Sequence, residues 1–465
     1  AKGSRFSAKH GAILLAVAYL LKRVGAVEAL TGLSTRSRAA LAAALGALFY
    51  RNFAAAPLEN EGEHTHSGRH FFFGNLLEFL RDGQKDMFTF ILNKSKALGF
   101  TNNEMTICGN VRQVVIEDEA DRRYVLKNNW ENFAKNHPTE PNTFEDYFSE
   151  LLGRGIFGVD GEEWKDHRKV ASHMFSVNGL RTQMEVVFLE HAMRLRELLS
   201  EEVDSGRVLD WQSIMQGFTF DTICAIAFGH SPNAVESCFR GAKPEFLVAF
   251  DDLQQIGSER CFKPWWKITR FLQWGDEPRF TKATKIVDDY VGDIIRDRRS
   301  SGEYSAKGDL LSLYIQHARA TNAPHLESTD YLRDVVVNFM IAGRDTTACT
   351  MTTMWRYFAE NPRVVEKLRA EFSNVETPDW DAMRDSKYGQ CVFNEALRML
   401  PPVSVDFRIA QRDDVLPSGF IVKAGTRVGI SNISIGRNPK YFEDPDAFKP
   451  ERWFLNEDGT RVRVR

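Results

Sequence analysis

The chain has 465 residues, 43% of them hydrophobic and 26% charged, enough for two or three ordinary domains or one large one. A net charge of −3 argues against a nucleic-acid partner. Six cysteines (Cys108, Cys224, Cys238, Cys261, Cys349, Cys391) show no C-x-x-C spacing and read as reduced, buried thiols of a cytosol-facing protein, not as a disulfide framework. Phe outnumbers Tyr by 34 to 11, which favours a large apolar interior or an apolar pocket, core packing being the plainer of the two.

The first 58 residues hold eight Lys or Arg and one acidic residue, Glu28. Two apolar runs, Ala12–Leu21 and Ala39–Tyr50, are each shorter than the roughly 20 residues a bilayer span needs. Joining the first run to its sequel puts Lys22 and Arg23 mid-segment, at high cost. Residues 1–58 are therefore expected to be an interfacial or hairpin anchor on an anionic membrane face, with an organelle transit peptide and a helix folded onto the body as alternatives. A polar linker at 59–69 leads into one globular unit, 70–465. Helical periodicity covers Leu180–Glu202, Trp211–Phe228, Phe280–Arg299 and Tyr331–Glu360, with a loop at Arg298–Asp309. Short β-type runs at Val415–Val422 and Thr426–Ser431, with turns at Pro417–Gly419 and Lys423–Gly425, predict a small hairpin. The fold class is mainly α with a small β-sheet region.

Four clusters carry chemistry. The first is Trp164 and Arg168, which an i, i+4 spacing puts on one helical face as an N–H and guanidinium anion site; a plain solvated basic face is the alternative. His167, one step off that face, is expected to be solvated or capping. The second is the Tyr331–Glu360 helix, capped by Ser328-Thr329-Asp330 and stopped by Asn361-Pro362. Its first half is apolar nearly all round, so it runs through the interior. At its centre Ala342-Gly343-Arg344-Asp345-Thr346-Thr347 removes bulk, and Thr346 can bond back to a carbonyl and loosen the turn. A hydroxyl beside a carboxylate there suits proton transfer to a ligand, unless Asp345-Thr346 merely satisfies a kink or starts a second helix. The third is Glu395 and Arg398, three apart before Pro401-Pro402, by default a solvated pair. The fourth is Arg408, able to grip a carboxylate bidentately or stand exposed on a strand.

In this order, and with Pro450-Glu451-Arg452 following, the clusters resemble the cytochrome P450 family, the haem-thiolate monooxygenases. The resemblance implies that Asp345 and Thr346 deliver protons for O–O cleavage, and that Ala342 and Gly343 make room for dioxygen and substrate. Trp164, Arg168 and Arg408 would bind the propionates of haem b, and Glu395, Arg398 and Arg452 would form a structural triad. Gly155-Ile156-Phe157, Pro264-Trp265-Trp266-Lys267, Gly343-Arg344-Asp345-Thr346 and Arg412-Asp413-Asp414-Val415-Leu416-Pro417 resemble the plant and protist fatty-acid hydroxylases of the family. Phe144, Tyr147 and Phe148 fall at the family's substrate-facing loop, or are ordinary core aromatics. The function this implies is NADPH-driven hydroxylation of a long-chain fatty acid or related lipid. Electrons would come from NADPH-cytochrome P450 reductase, since no flavin or dinucleotide motif is present. The place would be the endoplasmic reticulum membrane, facing the cytosol, with a mitochondrial or plastid membrane as the alternative. None of the six cysteines lies in the family's F-x-x-G-x-R-x-C-x-G ligand loop, so the chain reads as a fold incomplete at its C-terminus and, as written, inactive. A haem-thiolate enzyme that rearranges peroxides, and a non-catalytic lipid-binding pseudoenzyme, are the rival readings.

Overall fold

The computed structural model describes residues 75, 87–107, 111–138, 143–175, 185–261, 263, 265–302, 309–376 and 378–454. The expected anchor at 1–58 and linker at 59–69 lie outside them. The chain opens with α1 (Met87–Ala97) and two strands, β1 (Asn103–Ile107) and β2 (Val111–Ile116). Then come α2 (Glu119–Arg123), the two-residue strand β3 (Phe133–Ala134), α3 (Phe144–Leu152) and α4 (Gly161–Ser172). The helical body is α5 (Glu185–Glu202), α6 (Trp211–Phe228), α7 (Ala234–Phe239), α8 (Glu245–Arg260), α9 (Trp266–Leu272), α10 (Glu277–Ser301) and α11 (Leu310–Ala320). It continues through α12 (Thr329–Glu360), α13 (Pro362–Glu371), α14 (Trp380–Asp385) and α15 (Lys387–Met399). The last part holds β4 (Val405–Ala410), β5 (Asp414–Val415), β6 (Ile421–Val422), β7 (Arg427–Ser431), α16 (Asn432–Gly436) and a 3-10 turn at Pro450–Trp453.

The long helix forms as its sequence predicts. Ser328 accepts from the Tyr331 N–H, supplying the N-cap, and Pro362 begins the next helix directly after the Asn361 C-cap. Its 32 residues span about 48 Å. Thr346 does bond back to the Ala342 carbonyl at 2.7 Å, yet the helix stays continuous through its centre. The alternative of a second helix start is thereby set aside. Helix α6 matches its predicted bounds residue for residue and is buried on nearly every side. It stops where Gly229 takes a left-handed conformation (φ 60°), which a residue without Cβ adopts at little cost. Residues of α3, α4, α6, α8, α10, α11 and α12 share one apolar core.

The sheet differs from the expected hairpin. β5 and β6 pair as predicted. β7, expected beside them, instead joins a five-stranded sheet of order β1-β2-β7-β4-β3. It runs parallel to β2 and antiparallel to β4. The reason is apolar burial: Val428 and Ile430 of β7 pack with Val114 and Ile116 of β2, a partnership across 300 residues that local pattern does not reveal. On β4, successive side chains point to opposite faces, so Phe407 and Arg408 serve different sides of the sheet. The pairing Arg408↔Val428 fixes where that guanidinium stands.

Candidate active site

α4, β4 and the segment after β3 bring nitrogen-bearing side chains to one cavity of about 730 Å³, whose lining also holds the carboxylates of Glu131 and Asp160. Trp164 of α4 and Arg408 of β4 line it, as does Lys135, which follows β3. Arg168 stacks its guanidinium over the Trp164 ring at 5.6 Å and is otherwise exposed, so the i, i+4 spacing placed both on one face. Arg408 spends one nitrogen, Nη1, on Asp406 and on the Phe407 carbonyl, each at 2.8 Å. Lys135 was not singled out in the sequence, where it is one cation in a polar stretch. It donates to the carbonyls of Ile156 (2.8 Å) and Val159 (2.7 Å). Burial pulls its ammonium down to about 8 from 10.5; Asp160 opposes this and the neighbouring Arg408 adds to it. Asp160 braces the rim by accepting the backbone N–H groups of Lys135 (3.1 Å) and Asn136 (3.0 Å).

His167 overturns its expectation. It is 1% exposed, neither solvated nor capping. Its Nε2 meets the Arg154 carbonyl at 2.9 Å, its Nδ1 the Tyr314 hydroxyl at 3.0 Å, and its ring stacks on Tyr331. Burial pushes its pKa down, which keeps the imidazole neutral. A neutral, doubly bonded ring pins the helix bearing Trp164 to α11 and α12.

Around the centre of α12 the side chains divide. Gly343, expected to make room for a ligand, faces α6: a Cβ built there would stand 2.5 Å from Ile223 Cγ1. Its missing side chain lets two helices touch, and the Thr219 hydroxyl of α6 reaches the Arg344 carbonyl at 2.9 Å. Gly343→Ala should therefore destabilise the protein by about 1–3 kcal/mol through overpacking, although Ala is the better helix former. Urea unfolding should recover most of that loss in an Ile223→Ala background. Asp345 points toward α8, where Arg344 links it to Asp251. Burial raises the Asp345 pKa, and the Arg344 charge only partly offsets this. Ala342, Asp345 and Thr346 do not line the cavity that holds Trp164 and Arg408.

The expected triad is fully assembled. Glu395 is 0% exposed and takes two bonds of 2.8 Å from Arg398 and one of 3.0 Å from Arg452. The solvated pair, the default reading of Glu395 and Arg398 alone, is thus replaced by a buried one. Two further donors were not foreseen: the Lys449 N–H (2.8 Å) and the Trp453 indole (2.9 Å). Burial by itself would raise the Glu395 carboxyl, but these donors hold it below its usual range. Phe144 and Phe148 sit 5.0 Å apart on the partly buried face of α3, and Phe144 meets Phe407 at 5.8 Å. Tyr147 is 2% exposed, a core residue bonded to Arg427.

Comparison with known sequences agrees with this order of elements. The profile of the cytochrome P450 family matches residues 65–464. The chain belongs to the cytochrome P450 family. Cytochrome P450 94B1 of Arabidopsis thaliana is 35% identical over 357 residues, covering 74% of this chain and 67% of that protein. Cytochrome P450 94A1 of Vicia sativa is 32% identical over 75% of this chain and 66% of its own length. Cytochrome P450 704B1 of Arabidopsis thaliana is 32% identical over 74% and 72%. The chain thus spans about two thirds of the length of the first two relatives. P450s are monooxygenase oxidoreductases that carry haem and draw electrons from a redox partner. The P450 donor set fits the acid end of a haem: an indole N–H, a guanidinium with nitrogens to spare and a half-desolvated ammonium meet at one cavity, the chemistry two carboxylates require. Among the described residues, none of the five cysteines is in a disulfide, and three of them are buried.

Proposed function

We propose that the complete protein hydroxylates a long-chain fatty acid or related lipid, with dioxygen as oxidant and electrons from NADPH-cytochrome P450 reductase. The observation that carries the reading is the convergence of Trp164, Lys135 and Arg408 on one cavity, in a chain whose buried helix also bears Asp345-Thr346. Haem b, when bound, supplies the redox chemistry that activates dioxygen and oxidises a C–H bond. The protein's own part is to hold and to feed protons. Trp164, Lys135 and Arg408 would hold the two acid tails, with Arg168 stiffening the indole. Asp345, whose pKa burial raises, would take up and hand on a proton, and Thr346 would pass it on by releasing the Ala342 carbonyl.

A lipid substrate suits membrane attachment, and we place the protein on the cytosolic face of the endoplasmic reticulum. Among the described residues no helix is long and apolar enough to cross a membrane. Support for an interfacial seat comes from α9 and its flanks, where Phe271 and Trp274 are 86% and 61% exposed, with Trp265 and Ile268 also exposed.

The test is a reduced carbon-monoxide difference spectrum of the full-length protein, followed by product analysis with C12–C18 fatty acids and purified reductase. A thiolate-type Soret band and NADPH-dependent hydroxy acids are expected. Thr346→Val should then lower the fraction of NADPH electrons that reach product. Turnover of lipid hydroperoxides without NADPH would replace this reading with the rearranging one, and a complete protein without the Soret band would end it.

A further inference from the structure

Arg344 is 0% exposed, yet it sits in the middle of the central helix, where an arginine is costly to bury. Its Nη1 alone serves two carboxylates, Asp251 at 2.7 Å and Asp345 at 2.8 Å. Its Nε and Nη2 are buried without a partner, as is Oδ2 of Asp345. Asp251, on α8, is the solvent-side member: its side chain is 36% exposed and pairs with Lys243. Lys243 in turn donates to Gln216 at 2.8 Å. Cations and carboxylates therefore alternate along the row Lys243, Asp251, Arg344, Asp345, with the guanidinium its most deeply buried member. The Phe250 ring lies 5.7 Å from the guanidinium. The Arg344 backbone carbonyl is taken by Thr219, so this turn of α12 is fastened to α6 while its side chain is fastened to α8.

We propose that Arg344 is the positioning residue of this site, clamping the Asp345 carboxylate to Asp251 so that the acid's orientation and proton affinity are set from α8. This rests on the reading of Asp345 as a proton store. Other groups facing Asp345 are Gln254 of α8, Lys243, and Cys349 on its own helix; Cys238 of α7 faces Arg344. The unpartnered Arg344 nitrogens mark where bridging water would complete the hydrogen bonding of the clamp.

The clamp makes a signed statement. Arg344 favours the ionised form of Asp345, and Asp251 disfavours it. Arg344→Gln should raise the pH at which Asp345 gives up its proton, and Asp251→Asn should lower it, each by roughly one pH unit or more. The readout is the infrared carbonyl stretch of the protonated carboxyl in the full-length, haem-loaded protein, assigned by its loss in Asp345→Asn and followed against pH. Opposite shifts support the clamp, because a merely structural role would move both variants the same way. Shifts of one sign, or none in Asp251→Asn, whose partly exposed site tolerates the change, overturn it. If the shifts are opposite but Asp345→Asn hydroxylates normally, the clamp stands and the proton-store reading falls.

Discussion

Glu395→Ala is expected to cost about 3–5 kcal/mol of stability, the figure for breaking a buried ion pair by removing one partner. The cost comes less from the lost attraction than from what is stranded. Arg398 is 6% exposed and would keep its charge, with Nη1 still on the carbonyls of Gly436 (2.6 Å) and Pro445 (2.7 Å), but Nε and one bond of Nη2 would lose their acceptor. The Lys449 N–H and the Trp453 indole would lose theirs as well. Arg452 would retain the Glu443 carbonyl and lose the Glu395 carboxylate. Glu395→Gln, which keeps one acceptor oxygen and drops the charge, should fall between wild type and Glu395→Ala. Urea titrations followed by far-UV circular dichroism would check this order. An alanine variant within 1 kcal/mol of wild type would mean that the triad is decorative.

The triad was legible because its members are close in sequence or marked by proline, and because a known family orders them. The long helix was legible for a more elementary reason: an apolar run, a Ser328 cap and an Asn361-Pro362 stop all act locally. What escaped was non-local. β2 and β7 pair in parallel across 300 residues, so neither strand's partner is written near it. Gly343 was marked as room for dioxygen and substrate, but a bare glycine does not say what fills the space beside it, and the answer is Ile223. His167 looked solvated among Lys165, Asp166, Arg168 and Lys169, since only the packing of Tyr314 and Tyr331 decides that its face turns inward. Lys135 and Arg344 were passed over because their meaning lies in groups far along the chain, the like-charged Arg408 in one case and the Asp251 carboxylate in the other.

Glu117→Gln is expected to stabilise the protein by about 3 kcal/mol at pH 8 and to leave it unchanged at pH 4. Glu117 is 1% exposed and sits at the end of β2, where Ser95 donates to Oε1 at 2.5 Å while Oε2 is buried without a partner. Burial, only partly offset by the Ser95 and Ser434 hydroxyls, pushes its carboxyl up from 4.5 to about 7. The sign follows from proton counting. Between those two values the folded chain holds a proton that the unfolded chain has lost, so stability falls as pH rises through that window. Below pH 4.5 the group is neutral in both states and the penalty is absent; above 7 it is ionised in both and the penalty is complete. Glutamine has the same shape and no charge to desolvate, so it escapes the loss. Glu395 works in the opposite sense, since its lowered pKa gives stability that is present above 4.5 and lost only as pH falls through its folded-state value. Wild type should therefore weaken at both ends of the pH range, and each end has its own glutamate. Denaturant unfolding of wild type and Glu117→Gln at pH 4, 6 and 8 separates the two: the difference should open between pH 4 and 8, and a difference independent of pH would show that the Glu117 carboxyl titrates alike in the folded and unfolded chain.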